Sequence, residues 1–291
     1  MNYRKKKIME NSIHGIFLVL GLISIGSVLL ITIYLIIAGV PAIKEIGLVP
    51  FITGKVWKST TDNPQFGILP FILTSLYGTA GAIVLGVPVG FMSAVFLAKK
   101  ASKRVKYVVT TAVNLLAGIP SVVYGLVGMR VLVPGIRNAF DIPDGSSLLA
   151  AIIVLAIMIL PSIISVSINA LEAVPSEYEE ASLALGAMPE ETWFRVSVPA
   201  ARRGIAAAVV LGTGRAIGEA MAVMMVSGNV ANMPSMFQSV RFLTTAVASE
   251  MAYSSGLQRD ALFSIALVLF VFIVLINAVL NMFLKKDKEK I

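Results

Sequence analysis

The chain has 291 residues, of which 57% are hydrophobic and only 14% charged. Soluble domains carry about 25% charged residues, and a mean hydropathy of +0.88 asks for a larger core than this length encloses. The chain reads as an integral membrane protein. With zero cysteines, disulfides, thiolate nucleophiles and thiolate metal sites are excluded. The single histidine, His14, builds neither a multi-histidine metal centre nor a Ser-His-Asp triad and reads as a membrane-interface residue. The formal charge of +8 sits in short loops between apolar runs, the footprint of membrane topology rather than of nucleic acid binding.

Six apolar stretches are long enough to cross a layer ~30 Å thick: 13–38, 68–98, 105–133, 148–171, 205–227 and 261–284. The expected fold class is all-α, a polytopic membrane protein with about six transmembrane helices. Arg4, Lys5, Lys6 and Lys7 precede the first stretch as in a signal peptide. Its apolar run is about twice the usual length, so it reads as an uncleaved first helix. Sixteen of the 24 Lys and Arg residues lie at the N-terminus, in 99–106, in 195–203 and in the tail 285–291; seven lie in the opposite loops. Both termini are therefore expected in the cytoplasm. The expected division is 1–67 for the first helix and an outer loop, 68–284 for a core containing a cytoplasmic loop 172–203, and 285–291 for a basic tail.

In chain order, the loop around Pro41, Pro50, Trp57 and Pro64 reads as a folded or interfacial outer segment, with Trp57 as an interface anchor. Gly54-Lys55 is the nearest approach to a P-loop. Val49 and Val56 stand where a glycine and a hydroxyl residue are needed, so energy must come from a partner or an ion gradient. Gly86 and Gly90 form a small-xxx-small pair suited to packing. Pro88, Pro120 and Pro161 are each expected to bend or locally unwind a helix. Asn114, Gly118, Ser121 and Gly125 fall on one face of a continuous third helix, and Ser162, Ser165 and Asn169 on one face of the fourth. Such residues serve either interhelical packing or the lining of a polar path.

Ser176 with Glu179 three residues on reads as a capping box. Gly186 suits the left-handed position that ends a helix, and Pro189 suits the first turn of the next. Two short helices meeting at Gly186 would make a bent knuckle; an ordinary loop is the alternative. In the fifth stretch, Arg215 and Glu219 are the charges placed well inside a span, four residues apart and so on one helix face. A central ionised residue costs ~2.5–3.5 kcal/mol to insert. The pair is either a charge on an anion path steadied by its neighbour or a neutralised packing pair. The segment 229–259 is too polar to span and is expected to pack on the outer face.

Glu180-Ala181-Ser182, then Gly186, Val196, Val198 and Pro199, resemble the EAA signature of bacterial ABC importer permeases. Ser182 replaces an alanine, and two valines replace isoleucine and leucine. Residues 66–72 (Phe-Gly-Ile-Leu-Pro-Phe-Ile) and 117–125 (Ala-Gly-Ile-Pro-Ser-Val-Val-Tyr-Gly) resemble signatures of phosphate-specific permeases. The run 214–229, beginning Gly-Arg-Ala-Ile-Gly-Glu-Ala-Met, is similar to the fifth-span motif of the PstC-type subunit, with Ala220 in place of the usual threonine.

The resemblance implies the type I permease fold of an ATP-driven phosphate importer. The implied partners are a homologous PstA-type permease, two ATP-binding subunits, an extracytoplasmic phosphate-binding protein and membrane lipid, with no cofactor or metal and no nucleic acid. It places Glu180, Ala181, Ser182, Gly186 and Pro199 in coupling to the ATPase; the substrate path is read instead from the placement of the residues, with Arg215, Glu219, Ser121 and Asn114 along it. The rivals are a sulfate or molybdate permease, a gradient-driven secondary transporter, and a membrane-embedded enzyme. The enzyme lacks a catalytic set. The secondary transporter would show repeats and more intramembrane carboxylates.

Overall fold

A computed structural model describes residues 3–59, 61 and 63–286. The basic tail expected at 285–291 lies outside the described residues from 287 onward.

Helix α1 (Tyr3–Ile46) carries a long apolar run from Ile13 on and ends at Gly47, whose φ of 91° breaks it. It leans on the last helix, α13 (Gly256–Lys286), where the Tyr34 and Phe263 rings meet edge to face at 5.6 Å. Next come α2 (Leu48–Thr53) and a small antiparallel hairpin, β1 (Trp57–Lys58) against β2 (Gln65–Phe66). The hairpin does not leave Trp57 at an interface. The indole is buried against Phe66 and Phe71, and its Nε1 donates to Glu250 Oε2 at 3.2 Å. The packing corrects the reading of Trp57 as an anchor.

Helix α3 (Leu69–Val95) runs on through a π-helical turn, Phe96–Lys100. It packs along α7 (Leu148–Glu172), the central helix, which also carries α10 (Val198–Gly218) on its surface. Gly86 and Gly90 do what small residues at that spacing should. A Cβ on them would stand 2.7 Å from Ile159 and 2.8 Å from Ile163. Pro88 and Pro161, by contrast, lie inside continuous helices, so the helix is not unwound at either.

The third expected span does break. Helix α4 (Lys103–Gly118) is capped by Ser102, which accepts from the Val105 amide, and stops before Pro120. Helix α5 (Ser121–Val127), a second π turn (Gly128–Leu132) and α6 (Val133–Phe140) follow at 98° to it. Asn114 and Gly118 therefore do not share a continuous face with Ser121 and Gly125.

After α7 come α8 (Ser176–Ala184) and α9 (Pro189–Thr192), a third π turn (Trp193–Ser197) and α10. The fifth expected span is also interrupted. Helix α10 ends at Gly218, and α11 (Met221–Val226) begins after a two-residue gap. Among the described residues four helices are long and apolar enough to cross a membrane, or five counting the bent α4–α6 segment. The shortfall from six is α10, where every 18-residue stretch contains Arg202, Arg203 and Arg215.

Helix α12 (Leu243–Glu250) and the strand-like segment before it close the end of the bundle where α3 begins. There the Glu250 carboxylate pairs with Arg241 and accepts from Trp57 and from Gln258 at 3.1 Å, while Arg241 lies 5.8 Å over the Phe71 ring. Most of 229–259 does not span, as expected; its last four residues, 256–259, open α13, a helix long and apolar enough to cross a membrane.

Candidate functional site

Two helix breaks face each other in the middle of the bundle. In the first, Pro120 has no amide to offer the Leu116 carbonyl. The Tyr124 hydroxyl donates there instead, at 2.7 Å, and braces the bend. In the second, Glu219 leaves the helix with φ −73° and ψ 128°. The two breaks are held together by small residues: a Cβ on Gly125 would stand 2.9 Å from Ala222 Cα and 2.8 Å from Met225 Sδ. Helices α5 and α11 thus touch backbone to backbone.

Arg215 sits half-buried in the last turn of α10, where the negative end of the helix dipole favours its charge. Glu219 does not hold it. Among the described residues no carboxylate pairs with Arg215 within 4.0 Å. Glu219 Oε1 instead accepts the Ala222 amide at 3.0 Å and caps α11, while its carbonyl accepts from Thr244 at 2.8 Å. The expectation of a four-residue pair on one helix face fails because the helix ends at Gly218, between the two residues.

Ser121 opens α5, at the break. Asn114 lies on α4, exposed, and its Oδ1 accepts from Ser165 of α7 at 3.5 Å. The bend carries Asn114 away from Ser121, and among the described residues no hydrogen bond joins Asn114 to Arg215 or Glu219. The inside of the bend holds a cavity of about 560 Å³ lined by Leu116, Ile119, Val123, Val127, Val131 and other apolar residues. It offers an anion nothing.

The knuckle between α7 and α10 forms as expected at Gly186. Its φ is +86°, the Gly186 amide donates to Leu183 O at 2.9 Å, and the Ala187 amide donates to Ser182 O at 3.3 Å. These are the two bonds of a Schellman motif. Pro189 occupies the first turn of α9, with Glu190 and Glu191 beside it. The Ser182 hydroxyl meets Thr192 Oγ1 at 2.9 Å, so the serine that replaces the usual alanine ties α8 to α9. Glu180 and Ala181 are exposed on the knuckle, and Pro199 starts α10.

The capping box does not form. Pro175 holds the N-cap position without a side-chain bond. The Glu179 carboxylate turns away from its own helix, pairing with Lys99 and accepting from the Ser197 hydroxyl at 2.8 Å. Burial alone would push Glu179 up, but the hydrogen bonds from Lys99 and Ser197 and the Lys99 charge outweigh it, holding the carboxyl below its ordinary range. Sequence reading missed this group. The signal available was a second acid directly before the motif, but its partner is 80 positions away.

Residues 86–286 match the family described as binding-protein-dependent transport system inner membrane component. The chain is 40% identical over 266 residues to a probable ABC transporter permease protein, YqgH, of Bacillus subtilis, covering 88% of this chain and 86% of the relative. It is 33% identical over 279 residues to the phosphate transport system permease protein PstC of Haemophilus influenzae, covering 89% and 88%. Among solved structures, an inward-facing MetNI methionine ABC transporter superposes with a TM-score of 0.60 at 18% identity, covering 75% of this chain and 96% of that one. A bacterial alginate ABC transporter, in complex with alginate pentasaccharide-bound periplasmic protein, gives 0.60 at 16% identity, covering 96% and 94%. At such identities the likeness is one of fold.

Proposed function

The chain belongs to the family of binding-protein-dependent transport system inner membrane components, and from that membership we propose that it is a transmembrane subunit importing inorganic phosphate. It is a permease rather than an enzyme; ATP hydrolysis belongs to separate ATP-binding subunits, and a binding protein delivers the substrate. The finer assignment is a pairing with a homologous PstA-type permease. Both termini and the knuckle face the cytoplasm, a reading supported by the bias of basic residues.

The observation that carries the substrate reading is Arg215, a permanent cation beside two facing helix breaks with no carboxylate partner among the described residues. A guanidinium suits a tetrahedral oxyanion, offering planar paired donors where water has been excluded. Because Arg215 is uncompensated and sits where the backbone is already interrupted, an anion can approach it without opening a continuous helix. Ser121, at the start of α5, supplies a hydroxyl at the facing break. Asn114, held by Ser165, stands apart from this point across the bend and is left out of the reading. Movement of the knuckle, with Glu180, Ala181, Ser182, Gly186 and Pro199 at the ATPase, would alternate access to this point.

The test is uptake of radiolabelled inorganic phosphate by the complete complex in proteoliposomes loaded with ATP. Saturable uptake that excess unlabelled phosphate suppresses and excess sulfate or molybdate does not is the expected result. Suppression by sulfate or molybdate at equal concentration would reassign the substrate within the oxyanions.

A further inference from the structure

Helix α8 has no fully buried residue, so apolar packing alone gives it little hold on the helices beneath. The fold grips it through Glu179. Two of the three π turns, Phe96–Lys100 at the end of α3 and Trp193–Ser197 before α10, bring Lys99 and Ser197 to the same carboxylate oxygen. Lys99 is only 10% exposed, and its ammonium also donates to the Leu171 carbonyl of α7 at 3.1 Å. One carboxylate therefore ties α8 to α3, α7 and α10 together. By contrast, the Lys100–Glu190 contact is 3.5 Å long with its ends 60% and 56% exposed.

We propose that the Glu179–Lys99–Ser197 clamp is the joint through which the knuckle moves the spans, with Glu179 and Lys99 acting as positioning residues for transport. The proposal rests on the reading of the knuckle as the element that docks an ATP-binding subunit. A charge-assisted hydrogen bond is short and directional, so displacement of α8 passes to α3 and α10 rather than being lost as sliding of a loosely held helix. The π turns matter because each shifts the register of its helix by an extra residue, and the clamp uses a side chain from each shifted turn. Without the clamp, ATP hydrolysis continues while helix movement no longer follows it.

The experiment uses the complete importer, co-expressed with its ATP-binding subunits and partner permease and supplied with binding protein and radiolabelled inorganic phosphate. Glu179→Gln and Lys99→Met should each lower uptake about tenfold or more, the scale of a lost charged hydrogen bond. ATP-binding subunits should still co-purify at the normal ratio, with hydrolysis within about twofold of wild type, so ATP consumed per phosphate imported rises about fivefold or more. The double variant Lys99→Glu, Glu179→Lys, which restores opposite charges, should recover a substantial share of uptake. Lys100→Met is the control on the neighbouring exposed pair and should change neither quantity. Uptake that falls only in step with the amount of assembled complex overturns the joint. A charge swap no better than the single variants overturns it too, as does equal uncoupling by Lys100→Met. Failure of the docking reading has a different sign: wild-type permease would itself retain no ATP-binding subunit.

Discussion

Glu219 and Ala222 are joined by a 3.0 Å hydrogen bond from the Ala222 amide to the Glu219 carboxylate, and that bond assigns Glu219 to α11 rather than to Arg215. The consequence is testable with three variants. Arg215→Gln should abolish phosphate uptake while the complex assembles, because no carboxylate is orphaned by the change. Glu219→Gln keeps an acceptor oxygen for the cap and should be milder. Glu219→Ala loses the cap, at a cost of ~0.5–2 kcal/mol. The double variant Arg215→Gln, Glu219→Gln should import no better than Arg215→Gln alone. Recovery of uptake in the double variant would mean that the two charges neutralise each other.

Gly125 is the point where the two breaks lean on each other. A Cβ there would stand 2.8 Å from Met225 Sδ, 2.9 Å from Ala222 Cα and 3.1 Å from Ala222 O. The sulfur can swing aside; the backbone atoms cannot. Gly125→Ala should push α5 from α11 and cost ~1–3 kcal/mol by overpacking, with Gly125→Val worse. Thermal unfolding of the purified complex reads the stability. Uptake per assembled complex should fall as well, since the displaced helices carry the Ser121 and Glu219 breaks. Gly118 is the comparison: nothing lies within 4 Å of a Cβ built there, so Gly118→Ala should be tolerated.

The packing around each proline explains what the sequence could and could not reveal. Pro88, Pro120 and Pro161 look alike along the chain, yet only Pro120 marks a break. Gly86 and Gly90 lock the helix around Pro88 onto Ile159 and Ile163, and Pro161 is itself buried in the central helix, so packing holds both continuous. Before Pro120, Gly118 meets nothing, and the missing amide decides the outcome. The glycine that ends α8 was legible because its requirement is local. The pairing of Arg215 with Glu219 was misread because a four-residue spacing presumes an unbroken helix. Trp57 and Glu179 were misread for another reason: their partners, Glu250 and Lys99, are 193 and 80 positions away. No spacing rule reaches that far.

Gly186 tests the knuckle by its backbone alone. Its φ of +86° costs a β-branched residue dearly, while a Cβ built there meets no atom within 4 Å. Gly186→Asn should therefore be tolerated, since asparagine adopts the left-handed region more readily. Gly186→Val should straighten the knuckle and displace Leu185, which is 90% exposed and free to meet a partner. Co-purification of the ATP-binding subunits is the measurement. Normal yields with Val at this position would remove Gly186 from coupling.

Topology is open to direct labelling because the chain has zero native cysteines to block. A cysteine replacing Ser176, on the knuckle, should resist an impermeant thiol reagent added to intact cells. One replacing Tyr253, 93% exposed just beyond α12, should react. The two positions lie at opposite ends of α3, which begins beside the Trp57–Glu250 cluster and ends at Lys99. Labelling at Ser176 from outside would invert the orientation.

The Glu179 clamp should also make the knuckle sensitive to acid. Its carboxyl is held below the ordinary range: burial opposes ionisation, but the hydrogen bonds from Lys99 and Ser197 and the Lys99 charge win. A group whose folded value is lowered contributes stability above its unfolded value, ~4.3 for a glutamate, and loses it as pH falls through the folded value. Above that window the contribution is constant, so neutral pH tests nothing. Thermal unfolding of the detergent-solubilised complex, measured from pH 7 downward, should show wild type above Glu179→Gln at neutral pH. The gap should narrow as the solution is acidified past ~4.3, because protonated glutamate and glutamine then present similar neutral groups to Lys99. Ser197→Ala removes one of the donors that lower the value, so its gap should close at a higher pH than that of wild type. A gap between wild type and Glu179→Gln that stays constant down to the lowest pH the complex survives would show that the charge of Glu179 contributes nothing to holding α8.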